Sequence, residues 1–208
     1  MSHVTAKELQ TLNPKRFQKE YSEWTNYAVG WDWWDCVYEG FMEDVRPFGV
    51  TIGPNQIHFS LGYSQSDYAS FTGRIDIADY MQAKGWDVEY PALYLAVNDC
   101  GDYATVSNPR SCARVNYDGG CIGNTYPAGI FKNLDQEAWD ELVEEQYHAA
   151  SLEDELQSYV DEICKDLYRT LRDEYEHLTS EEAFIDSCEC NEVTFEIETE
   201  GETNETFA

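Results

Sequence analysis

The segment SLEDELQSYVDEICKDLYRTLRDEYEHL, residues 151–178, constrains the fold most. Its apolar positions are Leu156, Val160, Ile163, Leu167, Leu171, Tyr175 and Leu178, separated by 4, 3, 4, 4, 4 and 3 residues. Steps of three and four keep a residue on one face of a helix with 3.6 residues per turn. A strand would need a period of two. The segment is therefore a long amphipathic helix, and whatever the rest of the chain forms must offer an apolar surface to cover that stripe.

The polar face of the same helix is mostly acidic, and so is its surrounding sequence. Residues 134–208 hold 25 acidic and 3 basic residues, against 16 and 10 in residues 1–133. The whole chain of 208 residues carries a formal net charge of −28. Self-repulsion on that scale disfavours the compact state. A halophilic adaptation would spread over the surface, whereas this charge is concentrated in one third of the chain. A chain of this sign does not bind nucleic acid directly, because phosphate contacts need a basic surface. It suits a partner that itself binds polyanions. Aromatics at 14% of residues separate it from disordered acidic tails, which are poor in them.

Upstream, VTAKELQTL predicts a short helix capped by Thr5, with Glu8 completing a capping box. Asn13 followed by Pro14 predicts a second start, with Phe17, Tyr21 and Trp24 at helical spacing. GWDWWDCVYEGF (30–41) places Trp31, Trp33 and Trp34 within four positions. Trp33, Trp34, Val37, Tyr38, Phe41, Met42 and Val45 form one stripe, which reads as a core anchor rather than a binding site, with Trp31 sealing its entry. Base stacking would need basic neighbours, and Asp32, Asp35, Glu39 and Glu43 are the opposite.

The middle reads as strands at 56–61, 69–77, 102–107 and 113–118, with a short helix at 91–97. These four strands suggest one antiparallel sheet. Residues 134–148 predict an acidic amphipathic helix; Thr179 and Glu182 suggest a capping box for a short helix reaching about Cys188; EVTFEIE (192–198) suggests an edge strand. The expectation is one α+β domain over 1–208: helical at 1–48, mostly strands at 49–120, acidic helices at 134–190 and a loose acidic tail at 199–208. The sheet of about four strands would pack with N-terminal Trp-rich helices and a C-terminal acidic helical layer.

Chemical motifs are sparse. His3, His58, His148 and His177 stand in no metal-ligand spacing, and CEC (188–190) has no second pair to complete a site. No phosphate loop, dinucleotide fingerprint or nucleophile elbow is present. No cofactor, metal or catalytic residue is expected, and a binding protein is favoured over an enzyme. MSHVTAKELQ has no apolar leader core, and no stretch approaches 18 apolar residues, so neither secretion nor a membrane span is expected. Seven irregularly spaced cysteines fit reduced thiols in a cytoplasm.

The candidate contact residues are the outward carboxylates. Glu137, Asp140, Glu141 and Glu144 share one face of the 134–148 helix; Asp154, Asp161, Glu162, Asp173 and Glu176 line the outer side of the next. Carboxylates four residues apart on a helix are about 6 Å apart along its axis, a repeat suited to imitating a phosphate backbone. Lys165, Arg169 and Arg172 interrupt this face and thin its field locally. A homodimer would extend the acidic array.

Three segments carry a family resemblance: NPKRFQKEYSEW…VGWDWWDCVYEGFMED, IHFSLGYSQSDYASFTGRI and LYRTLRDEYEHLTSEEAF. In order, they resemble a family of small acidic proteins of tailed bacteriophages, in which a DYDWWD motif precedes a helix, a SQGDGASFTG turn and strand follow, and an EYEYLTSDEAV helix pair ends the pattern. Here Ser66 and Tyr68 stand where that family often has glycine. The family is often labelled antitoxin of a toxin–antitoxin system. The resemblance implies a phage protein in a bacterial host cytoplasm and no catalytic residues. With the charge, it points to inhibition of a basic nucleic-acid-binding host protein or defence complex of restriction, CRISPR or nuclease type by DNA mimicry. The alternative is an antitoxin that neutralises a cognate toxin by direct binding.

Overall fold

The computed structural model describes residues 2–62, 66–108, 112–117 and 152–197. In chain order its elements are β1 (Ser2–Val4), α1 (Ala6–Leu12), α2 (Pro14–Ala28), α3 (Asp35–Val45), a 3-10 turn (Arg46–Phe48), β2 (Val50–Thr51), β3 (Ile57–Ser60), β4 (Tyr68–Phe71), β5 (Gly73–Asp76), α4 (Ile77–Lys84), α5 (Trp86–Glu89), α6 (Pro91–Cys100), β6 (Tyr103–Ser107), β7 (Arg114–Asn116), α7 (Leu152–Leu178), α8 (Glu181–Cys190) and β8 (Phe195–Ile197). The fold is α+β, with antiparallel sheets, as the sequence leads one to expect. It comprises two compact units, Met1–Trp33 with Asp173–Ala208, and Trp34–Arg172; α7 contributes residues to both.

The first unit joins the two ends of the chain. The Thr5 backbone N–H donates to Glu8 Oε2 at 2.8 Å and the Glu8 N–H to Thr5 Oγ1 at 3.3 Å, so the capping box forms. Asn13 Oδ1 accepts from the Arg16 N–H at 3.2 Å, with Pro14 opening α2. Val4, Ala6, Leu9, Phe17, Phe184, Cys188 and Phe195 make one buried cluster. Phe184 is its hub: its ring lies 5.5 Å from Phe17, 5.9 Å from Tyr21 and 5.5 Å from Trp24. EVTFEIE does supply a strand, and it pairs with β1 in the register His3↔Glu196. The cap of α8 falls one residue later than expected. Ser180, not Thr179, accepts from the Ala183 N–H, at 3.0 Å. Thr179 instead turns its hydroxyl back to the Tyr175 carbonyl at 2.7 Å, so it closes α7 rather than opening α8.

The second unit holds a four-stranded antiparallel sheet, order β2-β5-β6-β7, and a separate β3-β4 pair. The four expected strands do not make one sheet. Residues 69–77 split at Thr72: β4 pairs with β3 (Ile57↔Phe71), and β5 pairs with β2 and β6 (Ile75↔Val50, Ile75↔Ala104). The switch point is Gly73, where an added Cβ would lie 2.4 Å from the Thr51 carbonyl oxygen. Only glycine lets the two backbones approach that closely. Ile75, Ile77, Tyr80, Met81 and Val97 are fully buried here, together with Leu156, Val160, Leu167 and Leu171 of α7. Gln157 treats the outer strand as a further strand would: its Oε1 accepts from the Val115 N–H at 2.9 Å and its Nε2 donates to the Ala113 carbonyl at 3.2 Å. That satisfies backbone groups an open sheet edge would leave exposed.

Candidate functional site

The stripe on α7 is buried at Leu156, Val160, Leu167 and Leu171 and half-buried at Ile163, Tyr175 and Leu178, and the opposite side carries the charge. In the second unit Asp154, Asp161 and Glu162 are all exposed; in the first, Asp173 and Glu176 are exposed. Asp161 is held in place, since its Oδ1 accepts from Gln157 Nε2 at 2.9 Å. Glu137, Asp140, Glu141 and Glu144 lie outside the described residues, as do the 134–148 helix and the 199–208 tail.

The basic interruption of α7 is more than a thinning of the field. Lys165, Arg169 and Arg172 form one wall of a cleft of about 550 Å³ in the second unit. Tyr68 and Ala69 from β4 and Cys112 and Ala113 beside β7 complete it, with Asp67, Asp161, Cys164 and Tyr168. Arg169 Nη1 meets Asp166 at 3.2 Å. Cys164 is half-buried against the cleft; burial foremost, with the Asp161 carboxylate adding to it, pushes its thiol up to about 12. Cys112 is exposed. The spacing 165, 169, 172 is visible in the sequence as one helical side. The cleft is not, because its other wall comes from residues 52 to 105 positions away.

A second, smaller cleft of about 230 Å³ lies along α3. Trp34, Tyr38 and Met42, at i, i+4 and i+8, face the Gly53–Ile57 turn, with Asp35 and Glu39 among its lining. The Phe59 ring packs edge-on against both Trp34 (5.5 Å) and Tyr38 (6.2 Å). Burial, then the Asp35 charge, raises the Tyr38 hydroxyl to about 12. The WDWWD motif is thus divided. Trp33 is buried and packs on Tyr175, Trp34 walls this cleft, and Trp31 is 58% exposed and seals nothing.

His3, His58 and His177 are exposed, and no cluster of three metal-ligating side chains occurs among the described residues. Cys188 is buried and Cys190 exposed, so the CEC thiols do not converge. Among the described cysteines five are free and Cys100 is disulfide-bonded, which departs from the expectation of reduced thiols throughout. No helix among the described residues is long and apolar enough to cross a membrane.

No curated protein and no solved structure matches the chain. The model of one family, described as a domain of unknown function (DUF8835), matches residues 33–181, a span that runs from Trp33 through both clefts and α7. That span is more than half of the chain, and the protein belongs to the DUF8835 family.

Proposed function

We propose that the protein binds and blocks a basic nucleic-acid-binding protein of a bacterial host, presenting carboxylates where that partner expects phosphates. The observation that carries this reading is the exposed set Asp154, Asp161 and Glu162 on a helix whose opposite side is buried at Leu156, Val160, Leu167 and Leu171. Charges on a packed helix are already ordered, so binding does not have to immobilise them. A net charge of −28 steers a basic partner toward them over a distance set by the ionic strength. The resemblance to acidic phage proteins supplies the host setting, and the low count of catalytic motifs favours binding over turnover.

The test is a pull-down from bacterial lysate with tagged protein, with and without DNA as competitor. Capture of a nucleic-acid-binding protein, displaced by DNA and lost when Asp154, Asp161 and Glu162 are changed to Lys, supports the proposal. Capture that DNA leaves untouched, or that survives charge reversal, overturns it. Rescue of growth arrest caused by a cognate toxin would instead favour the antitoxin reading.

A further inference from the structure

The cleft beside α7 gathers basic residues in a molecule that is otherwise acidic. Three of the chain's 13 basic residues, Lys165, Arg169 and Arg172, line it, with the carboxylates Asp67 and Asp161 in the lining and Asp166 paired to Arg169. The three cations recur on successive turns of α7, where i, i+4 and i+7 share one side of a helix. Its volume of about 550 Å³ falls within the ~300–1,000 Å³ of small-molecule sites. Tyr68 and Tyr168, both half-buried, add aromatic rings to its lining.

From these features we infer that the cleft is a binding site for a phosphorylated small molecule of nucleotide size. Arginine presents a planar fork of donors matched to phosphate oxygens, and lysine adds a mobile charge. Tyrosine faces suit a flat heterocycle, which stacks on aromatic side chains whatever its edge pattern. The acidic remainder of the chain does not forbid an anion here. At physiological ionic strength the field of a distant charge decays over about 8 Å, so the groups lining the cleft dominate what a bound ligand feels. The site shares Asp161 with the acidic face but takes a different ligand, a small anion, where that face takes a basic protein.

Isothermal titration calorimetry with the four common nucleoside diphosphates and inorganic pyrophosphate tests the inference. Binding of at least one probe is expected, with affinity falling about tenfold or more in the K165Q/R169Q/R172Q variant, whose fold is checked by circular dichroism. No heat from any probe, or binding that this variant retains, overturns the inference. Should the triple variant fail to fold, Asp161→Asn leaves all three cations in place and removes a repelling charge. It is expected to tighten binding several-fold, and unchanged or weaker affinity overturns the inference.

Discussion

The Trp33 indole lies 5.7 Å from the Tyr175 ring, at an interplanar angle of 53°. Trp33 is 5% exposed, so this contact is core. Truncation of a buried indole removes both its transfer free energy and its packing partners. Trp33→Ala is expected to cost about 3–5 kcal/mol in chemical denaturation, while Trp31→Ala, at an exposed site, is expected to stay within about 0.5 kcal/mol of wild type.

Tyr80 is expected to make the protein sensitive to alkali. Its ring is fully buried, 5.3 Å from Tyr159, and its hydroxyl has no hydrogen-bond partner among the described residues. Burial, with Glu155 adding to it, raises its pKa from 10.0 to about 12. The folded state therefore favours the neutral hydroxyl. That contribution is fully present below pH 10 and is lost as pH rises from 10 to 12, because the unfolded chain ionises first. Tyr80→Phe is expected to flatten the loss of stability over that window and to raise stability at neutral pH by about 1 kcal/mol, by removing an unsatisfied buried hydroxyl. Urea titrations at several pH values check both.

Two glycines are expected to respond with opposite sign. Gly73→Ala places a methyl against the Thr51 carbonyl at the point where the chain changes sheets, and is expected to destabilise by more than 1 kcal/mol. Gly40 sits inside α3 with nothing within 4 Å of its would-be Cβ. Gly40→Ala is expected to stabilise by about 0.5–1 kcal/mol, through helix propensity and a less flexible unfolded chain. Thermal melts of the two variants compare them directly.

The two thiols of the large cleft are expected to react at different rates. With a pKa of about 12, Cys164 is almost wholly protonated at pH 8, and the thiolate is the reactive form. Iodoacetamide at pH 8 is expected to modify exposed Cys112 before Cys164, as peptide mass mapping would read.

Binding through the acidic face is expected to weaken steeply with salt, since exposed charges are screened over about 10 Å at 0.1 M and about 3 Å at 1 M. Capture of the partner that persists unchanged from 0.1 to 1 M salt would point to an apolar interface instead.

Local signals were legible wherever the chain needed only its near neighbours. Thr5 with Glu8, Asn13 with Pro14, and the buried stripe of α7 each act within a few turns, and each forms as the spacing implies. The four-strand sheet was legible as a type but not in its membership. Alternation shows which side of a strand is apolar without naming its partner, and the sheet change at Gly73 depends on Thr51, 22 residues away. Likewise Thr179 and Ser180 offer the same hydroxyl, and only the turn out of α7 decides which one caps α8.

The candidate sites divide in the same way. By itself the sequence determined that α7 would bury one side and expose Asp154, Asp161, Glu162, Asp173 and Glu176 on the other, because helical period alone sorts the residues. It also determined that Lys165, Arg169 and Arg172 share a side. Only the tertiary structure decided that this side borders a cleft closed by Tyr68 and Cys112, and that consecutive Trp33 and Trp34 go to a core and to a cleft wall. Cavities and burial arise where chain-distant surfaces meet, and short-range periodicity carries no information about that meeting.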